Sequence, residues 1–184
     1  QDDAKFQKEF SERKALIIKT ISDAGKMTDG LQASIDAATT LSQLEDIYLP
    51  YKPKRKTRAM MAKEKGLEPL ANLLMQQQSN DLEHEAAKFM TDEVKTIEEA
   101  LACARDIVAE EINENAVIRA KIRNMYQREA TIQSKIVTGK EEEAAKYKDY
   151  FEFAERIATI PSHRILAILR GFLEGHLRIS IEPI

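Results

Sequence analysis

A chain of 184 residues is long enough for one domain, or two small ones, around a true core. With 43 % hydrophobic residues, 32 % charged residues and a formal net charge of −3, it is globular in composition, and a chain-wide cationic field is excluded; any nucleic-acid affinity has to come from local patches. A single cysteine, Cys103, excludes an intrachain disulfide, and no apolar run of about 18 residues is present to cross a membrane.

Six glycines, five prolines and no tryptophan are sparse punctuation, which favours helices over a turn-rich β fold. In "FQKEFSERKALIIKTISDAG", Phe6, Phe10, Ile17 and Ile21 form one helical stripe that Gly25 ends. Thr28 caps a short second helix, and Thr39 or Thr40 caps a third, with Leu41, Leu44, Ile47 and Tyr48 on one side. Pro50 and Pro53 stop that helix. "TRAMMAKEK" reads as a helix ended by Gly66, and "EPLANLLMQQQ" as another with Pro69 near its first turn. "DLEHEAAKFM" and "TIEEALACARDIVAEEINEN" follow, the latter with Thr96 and Glu99 in a capping-box pattern and Cys103 facing inward.

"AVIRAKIRNMYQREATIQSKI" carries Ile118, Ile122, Met125 and Ile132 as one helical stripe. "EEEAAKYKDYFEFAERIATI" also reads as helix, with Glu141, Glu142 and Glu143 in its first turn, where acids favour the dipole. Pro161 and Ser162 open a last helix. Only "LRISIEP" has a period of two. The fold class expected is all-α: an elongated array of about eight or nine helices. The domains expected are a helical region over 1–175 and the start of a further domain over 176–184, ending in a truncated strand. A chain that opens on Gln1 and closes on such a strand is expected to be a piece of a longer protein.

No catalytic constellation emerges. His84, His163 and His176 lack zinc-type spacing to each other or to Cys103, and no phosphate-cradling glycine pattern exists, since the glycines of "GFLEG" resemble an ordinary helix stop. Asp106, Glu110 and Glu111 read as a solvated face. The expectation is a non-enzyme with no cofactor and no metal.

The basic segment "YLPYKPKRKTRA" is more informative. Its twelve residues hold two prolines, two tyrosines and five cations, with no acid. The prolines lower the entropy cost of ordering it, Lys52, Lys54, Arg55, Lys56 and Arg58 could meet phosphate oxygens, and Tyr48 and Tyr51 could stack on unpaired bases. Two other readings stay open: tyrosines that anchor the loop while its cations pair with nearby acids, and a loop that docks an acidic protein. A second patch runs from Arg119 to Lys135, in which Arg119 and Arg123, four apart, share a helix face. The helix–Gly66–helix segment over 57–78 invites a helix-turn-helix reading, but its second helix is mostly apolar and offers only Asn72 and Gln76 to Gln78 to base edges.

Residues 40–71, "TLSQLEDIYLPYKPKRKTRAMMAKEKGLEPLA", and residues 139–175, "GKEEEAAKYKDYFEFAERIATIPSHRILAILRGFLEG", resemble two blocks of the N-terminal region of the Tex family, the bacterial transcription accessory proteins. The resemblance spans essentially the whole chain. It implies a longer protein in which this helical region precedes an RNase H-like domain, helix-hairpin-helix elements and a C-terminal OB-fold RNA-binding domain. It also implies that a helix preceding Gln1 packs on Phe6 and Phe10. No family active site maps onto these residues. The function expected is a cytoplasmic helical scaffold that binds nucleic acid, RNA or DNA, weakly and with little sequence preference during transcription. Lys52, Lys54, Arg55, Lys56, Arg58, Tyr51, Arg119 and Arg123 are its candidate contacts. The alternative is a scaffold docking RNA polymerase, other transcription factors or the parent's other domains. No membrane partner is expected.

Overall fold

Four threonines start four helices. Thr28, Thr40, Thr57 and Thr96 hold extended backbone, and each hydroxyl accepts a bond of 3.1–3.2 Å from the N–H three residues on. Thr40 belongs to a complete capping box, in which Gln43 Oε1 accepts from the Thr40 N–H at 3.2 Å. At Thr96 the box is shifted, for Glu99 Oε2 accepts from the Lys95 N–H at 3.1 Å. A computed structural model describes residues 2–79 and 81–183; Asn80 lies outside them, as do Gln1 and Ile184, the ends of the two expected domains. The chain divides into two compact units, Gln1–Arg119 and Ala120–Ile184.

The first unit has two cores. Helices α1 (Asp2–Asp23), α2 (Asp29–Ala37) and α3 (Leu41–Tyr48) enclose Ile17, Ile21, Ile35 and Leu44, all fully buried. The apolar stripe of α1 is buried towards its C-terminal end, while Phe10 is half-buried and Phe6 remains 39 % exposed. Helices α4 (Arg58–Glu64), α5 (Glu68–Gln76) and α6 (Leu82–Ala87) pack on α7 (Ile97–Glu114). Alanines at 59, 62, 71, 86, 100 and 104 line that contact with Leu67, Leu70 and Ile107, so the helices approach closely. Cys103 is half-buried against this core. Gly66 closes α4 at φ +80°, a left-handed conformation that glycine adopts without a Cβ penalty. Helix α8 (Ala116–Glu129) crosses the division between the units and has no fully buried residue; Ile122 and Met125 of its stripe are 47 % and 37 % exposed.

The second unit corrects the all-α expectation. Strands β1 (Ala130–Ile136), β2 (Glu152–Arg156) and β3 (Leu177–Pro183) form an antiparallel sheet in the order β2-β1-β3. The helix expected to run through Ile136 stops at Glu129. Beyond it Ala130, Ile132 and Ser134 alternate inward and are buried, while Thr131, Gln133 and Lys135 take the other face. The aromatic block expected as one helix is a turn over 141–144, a 3₁₀ segment Ala145–Tyr150 and strand β2, so Glu141 to Glu143 sit in an exposed turn. Helix α9 (Ser162–Leu173) opens after Pro161 as expected and lays Ile165 and Ile168 on Ile132, Phe153 and Ile179 of the sheet. The closing strand, expected to lead into a further domain, pairs with β1 of this chain from Ala130↔Pro183 to Ile136↔Leu177.

Gly171 is another correction. Gly175, at φ +74°, ends α9, whereas Gly171 is a buried packing position within it. A Cβ there would lie 2.6 Å from Leu177 Cδ1 and 3.3 Å from Tyr147 Cδ1, both on side chains at most 4 % exposed. Gly171→Ala gains about 0.5–1 kcal/mol of helix propensity and incurs roughly 1–3 kcal/mol of overpacking. We expect a net loss of about 1 kcal/mol in urea unfolding; a stabilised variant would contradict this packing.

Candidate nucleic-acid interface

The basic loop is fastened at both ends. Tyr48 closes α3 at 6 % exposure, with the Arg13 guanidinium 5.5 Å from its ring centre. Leu49–Tyr51 form a 3₁₀ turn, from which the Lys52 N–H donates to the Tyr48 carbonyl at 2.9 Å. Tyr51 is half-buried against the core of α1–α3, and Thr57 fastens the far end by capping α4. Both tyrosines therefore spend much of their ring surface on anchoring. Residues 52–56 lie outside any helix or strand.

Arg13 also forks Glu45 at 2.5 and 3.0 Å, and its guanidinium holds that carboxyl below its ordinary value of 4.5. The folded value is depressed, so the stability it confers is present above pH 4.5 and lost as pH falls through the folded value. Glu45→Gln is expected to flatten the acid limb of a stability–pH profile; an unchanged limb would contradict it.

The five loop cations divide into two groups. The Lys54 ammonium lies between Glu110 (3.3 Å) and Glu114 of α7, and its side chain is only 26 % exposed. Partial burial pulls Lys54 down, but the two carboxylates outweigh it and hold the ammonium above its ordinary value. Lys56 pairs with Glu64 at 2.5 Å, both side chains being more than half exposed, a contact that solvent screens and that contributes little. Lys52, Arg55 and Arg58 are exposed and make no ion pair within 4 Å with a described residue.

Arg119 is occupied by a structural task. Its Nε donates to Asp46 Oδ1 at 2.7 Å, and Asp46 is 3 % exposed. Its Nη1 donates to the Asn113 carbonyl at 3.3 Å, at the C-terminal end of α7, where the helix dipole favours a cation. Arg123, one turn along α8, lies half-buried in the second unit. The structure thus gathers Lys54 and Arg119 at the last turns of α7 and leaves Lys52, Arg55 and Arg58 outward.

Glu110 and Glu114 are the residues sequence reasoning missed. They stand four apart on one helix face, yet the acids of that face read as solvated. Glu111 completes it, reaching Lys63 at 3.6 Å while Glu68 holds Lys63 at 3.1 Å. Helices α4 and α5 do flank a Gly66 turn, and Asn72, Gln76, Gln77 and Gln78 are exposed, but Leu70 and Ala71 of α5 are spent on the α7 contact. Among the described residues no group of three His, Cys, Asp or Glu could hold a metal ion, and none of their helices is long and apolar enough to cross a membrane.

An outward set of cations on a fastened loop can meet phosphate oxygens without reading bases. Comparison with known proteins gives this arrangement its context. The chain is 42 % identical over 177 residues to "Transcriptional accessory protein Tex" of Neisseria gonorrhoeae and 45 % identical over 179 residues to "Protein YhgF" of Escherichia coli, covering 96 % of this chain in each case. It is 31 % identical over 164 residues, 84 % of this chain, to human "S1 RNA-binding domain-containing protein 1". The chain spans 23 % of the length of the two bacterial relatives and 16 % of the human one. The family model described as Tex central region-like matches residues 77–183, taking in α6 to α9 and all three strands. On this match, the chain belongs to the Tex family.

Proposed function

We propose that this chain is a helical scaffold of a transcription accessory protein that binds nucleic acid, RNA or DNA, with little sequence specificity during transcription in the cytoplasm. Catalysis is not part of its role, and it takes no cofactor. The observation that carries the reading is the outward set Lys52, Arg55 and Arg58 on a loop held at Tyr48, Tyr51 and Thr57. The names of the relatives, one a transcriptional accessory protein and one an RNA-binding-domain protein, support it. Base discrimination is expected to be weak because cations and phosphates carry no sequence code. Titrating the chain into fluorescent single-stranded RNA and duplex DNA at low salt tests it. Binding that weakens steeply with salt and barely with sequence is expected; no binding by a folded chain would overturn it.

A second reading has its own support. Lys54 clamped by Glu110 and Glu114 is what a protein-docking scaffold would show, with nucleic-acid binding carried elsewhere in the longer protein. RNA polymerase, another transcription factor or the parent's other domains would be the partner. Under this reading the low-salt titration is flat.

A further inference from the structure

The sheet of the second unit has one face under α9 and one face bare of it. On the bare face the register aligns Glu152, Lys135 and Arg178 in one cross-strand row, Ala154, Gln133 and Ser180 in the next, and Arg156, Thr131 and Glu182 in the third. Lys135 and Arg178 are direct partners on neighbouring strands, both exposed, which brings their Cβ atoms to roughly 4.5–5.5 Å. Like charges placed so are unfavourable for the sheet. Neither makes an ion pair within 4 Å with a described residue, although Glu152 stands opposite Lys135 on the other side. The row therefore keeps one net positive charge at its β3 edge.

A concavity of about 380 Å³ opens between β1 and β3 at this end, lined by Gln133, Lys135, Thr138, Arg178 and Ser180, with Glu182 at its far side. Two cations, an amide and two hydroxyls are the donor set that a phosphate group needs. The bare face has no aromatic residue, so bases have nothing there to stack on and the contact is to the backbone.

We propose that this face is a second nucleic-acid contact, in which Lys135 and Arg178 together hold a backbone phosphate while Gln133 and Ser180 donate to it. The proposal rests on the reading of the chain as a nucleic-acid-binding scaffold, and it adds a site on a unit separate from the basic loop. A phosphate between the Lys135 ammonium and the Arg178 guanidinium offsets their mutual repulsion.

The test is a salt series with fluorescent single-stranded RNA and duplex DNA on the whole chain, comparing wild type, Lys135→Ala/Arg178→Ala, and the charge-matched control Lys148→Ala/Arg170→Ala. On RNA the sheet variant is expected to lose about 0.7 from the slope of log K against log salt, and about 5-fold in affinity near 0.1 M salt, because the two cations share one phosphate. On duplex DNA the slope loss is about 0.9. The control keeps the wild-type slope. The sheet variant melts at or above the wild-type temperature, because a like-charge pair has gone. Equal losses in variant and control would reduce the effect to net charge and overturn the proposal. A sheet variant that keeps the affinity and slope of a wild type that does bind would overturn this site alone. A wild type that binds neither ligand would overturn both it and the reading beneath it.

Discussion

Arg119→Ala lowers the unfolding free energy of the first unit by about 2–3 kcal/mol. The change strips a charge partner from Asp46, a carboxylate 3 % exposed, across a 2.7 Å bond. Breaking a fully buried pair costs roughly 3–5 kcal/mol, and the figure is reduced here because the Arg119 side chain is 35 % exposed and solvent screens the pair. The truncation also removes a donor to the Asn113 carbonyl at the end of α7. Lys121→Ala, in the same stretch of basic sequence and exposed, is the control and shifts stability by no more than about 0.5 kcal/mol. Urea denaturation followed by circular dichroism measures both. An Arg119 variant as stable as the control would mean that the guanidinium is available to a ligand and that Asp46 does not depend on it.

The second large effect concerns binding. Changing Lys52, Arg55 and Arg58 together to alanine is expected to weaken binding to single-stranded RNA on the order of 100-fold near 0.1 M salt, if each cation meets one phosphate. The fold should survive, since all three are exposed and the loop anchors at Tyr48, Tyr51 and Thr57 are untouched. Lys54→Ala behaves the other way. It leaves Glu110 and Glu114 facing each other with no cation between them, so the loop loses its tie to α7 while the ligand loses little. An equal fall in affinity for both variants would contradict the division of the loop into a clamp and a contact set.

The helices of the first unit were legible because their signals are local. Thr28, Thr40 and Thr96 announce themselves as caps, and Ile17, Ile21 and Leu44 repeat at helical spacing. The sheet was not legible because its evidence is distant. Strand β1 takes its partners from Glu152–Arg156 and Leu177–Pro183, and Ile132 falls at a spacing that also continues the stripe of α8. Tertiary pairing decided between two periods that the local pattern allowed. The loop stood out as the basic element of an acidic chain, and the exposure of Lys52, Arg55 and Arg58 agrees with that. What the sequence hid were the long-range ion pairs: Lys54 meets Glu114 sixty positions away, and Arg119 meets Asp46 seventy-three positions away. A cation's neighbours in sequence do not reveal which carboxylates the fold delivers to it. The same limit applies to Gly171, whose role depends on Leu177 and Tyr147 arriving from other elements.

The slope of log K against log salt for single-stranded RNA, measured on wild type, Lys54→Ala and the Lys52, Arg55 and Arg58 triple variant, tests the central claim most directly. Each phosphate contact contributes about 0.7 to that slope. The predicted result is a wild-type slope in Lys54→Ala and a slope lower by about 2 in the triple variant. A slope unchanged in the triple variant, or reduced first in Lys54→Ala, would contradict the claim that this fastened loop presents its outward cations to a phosphate backbone.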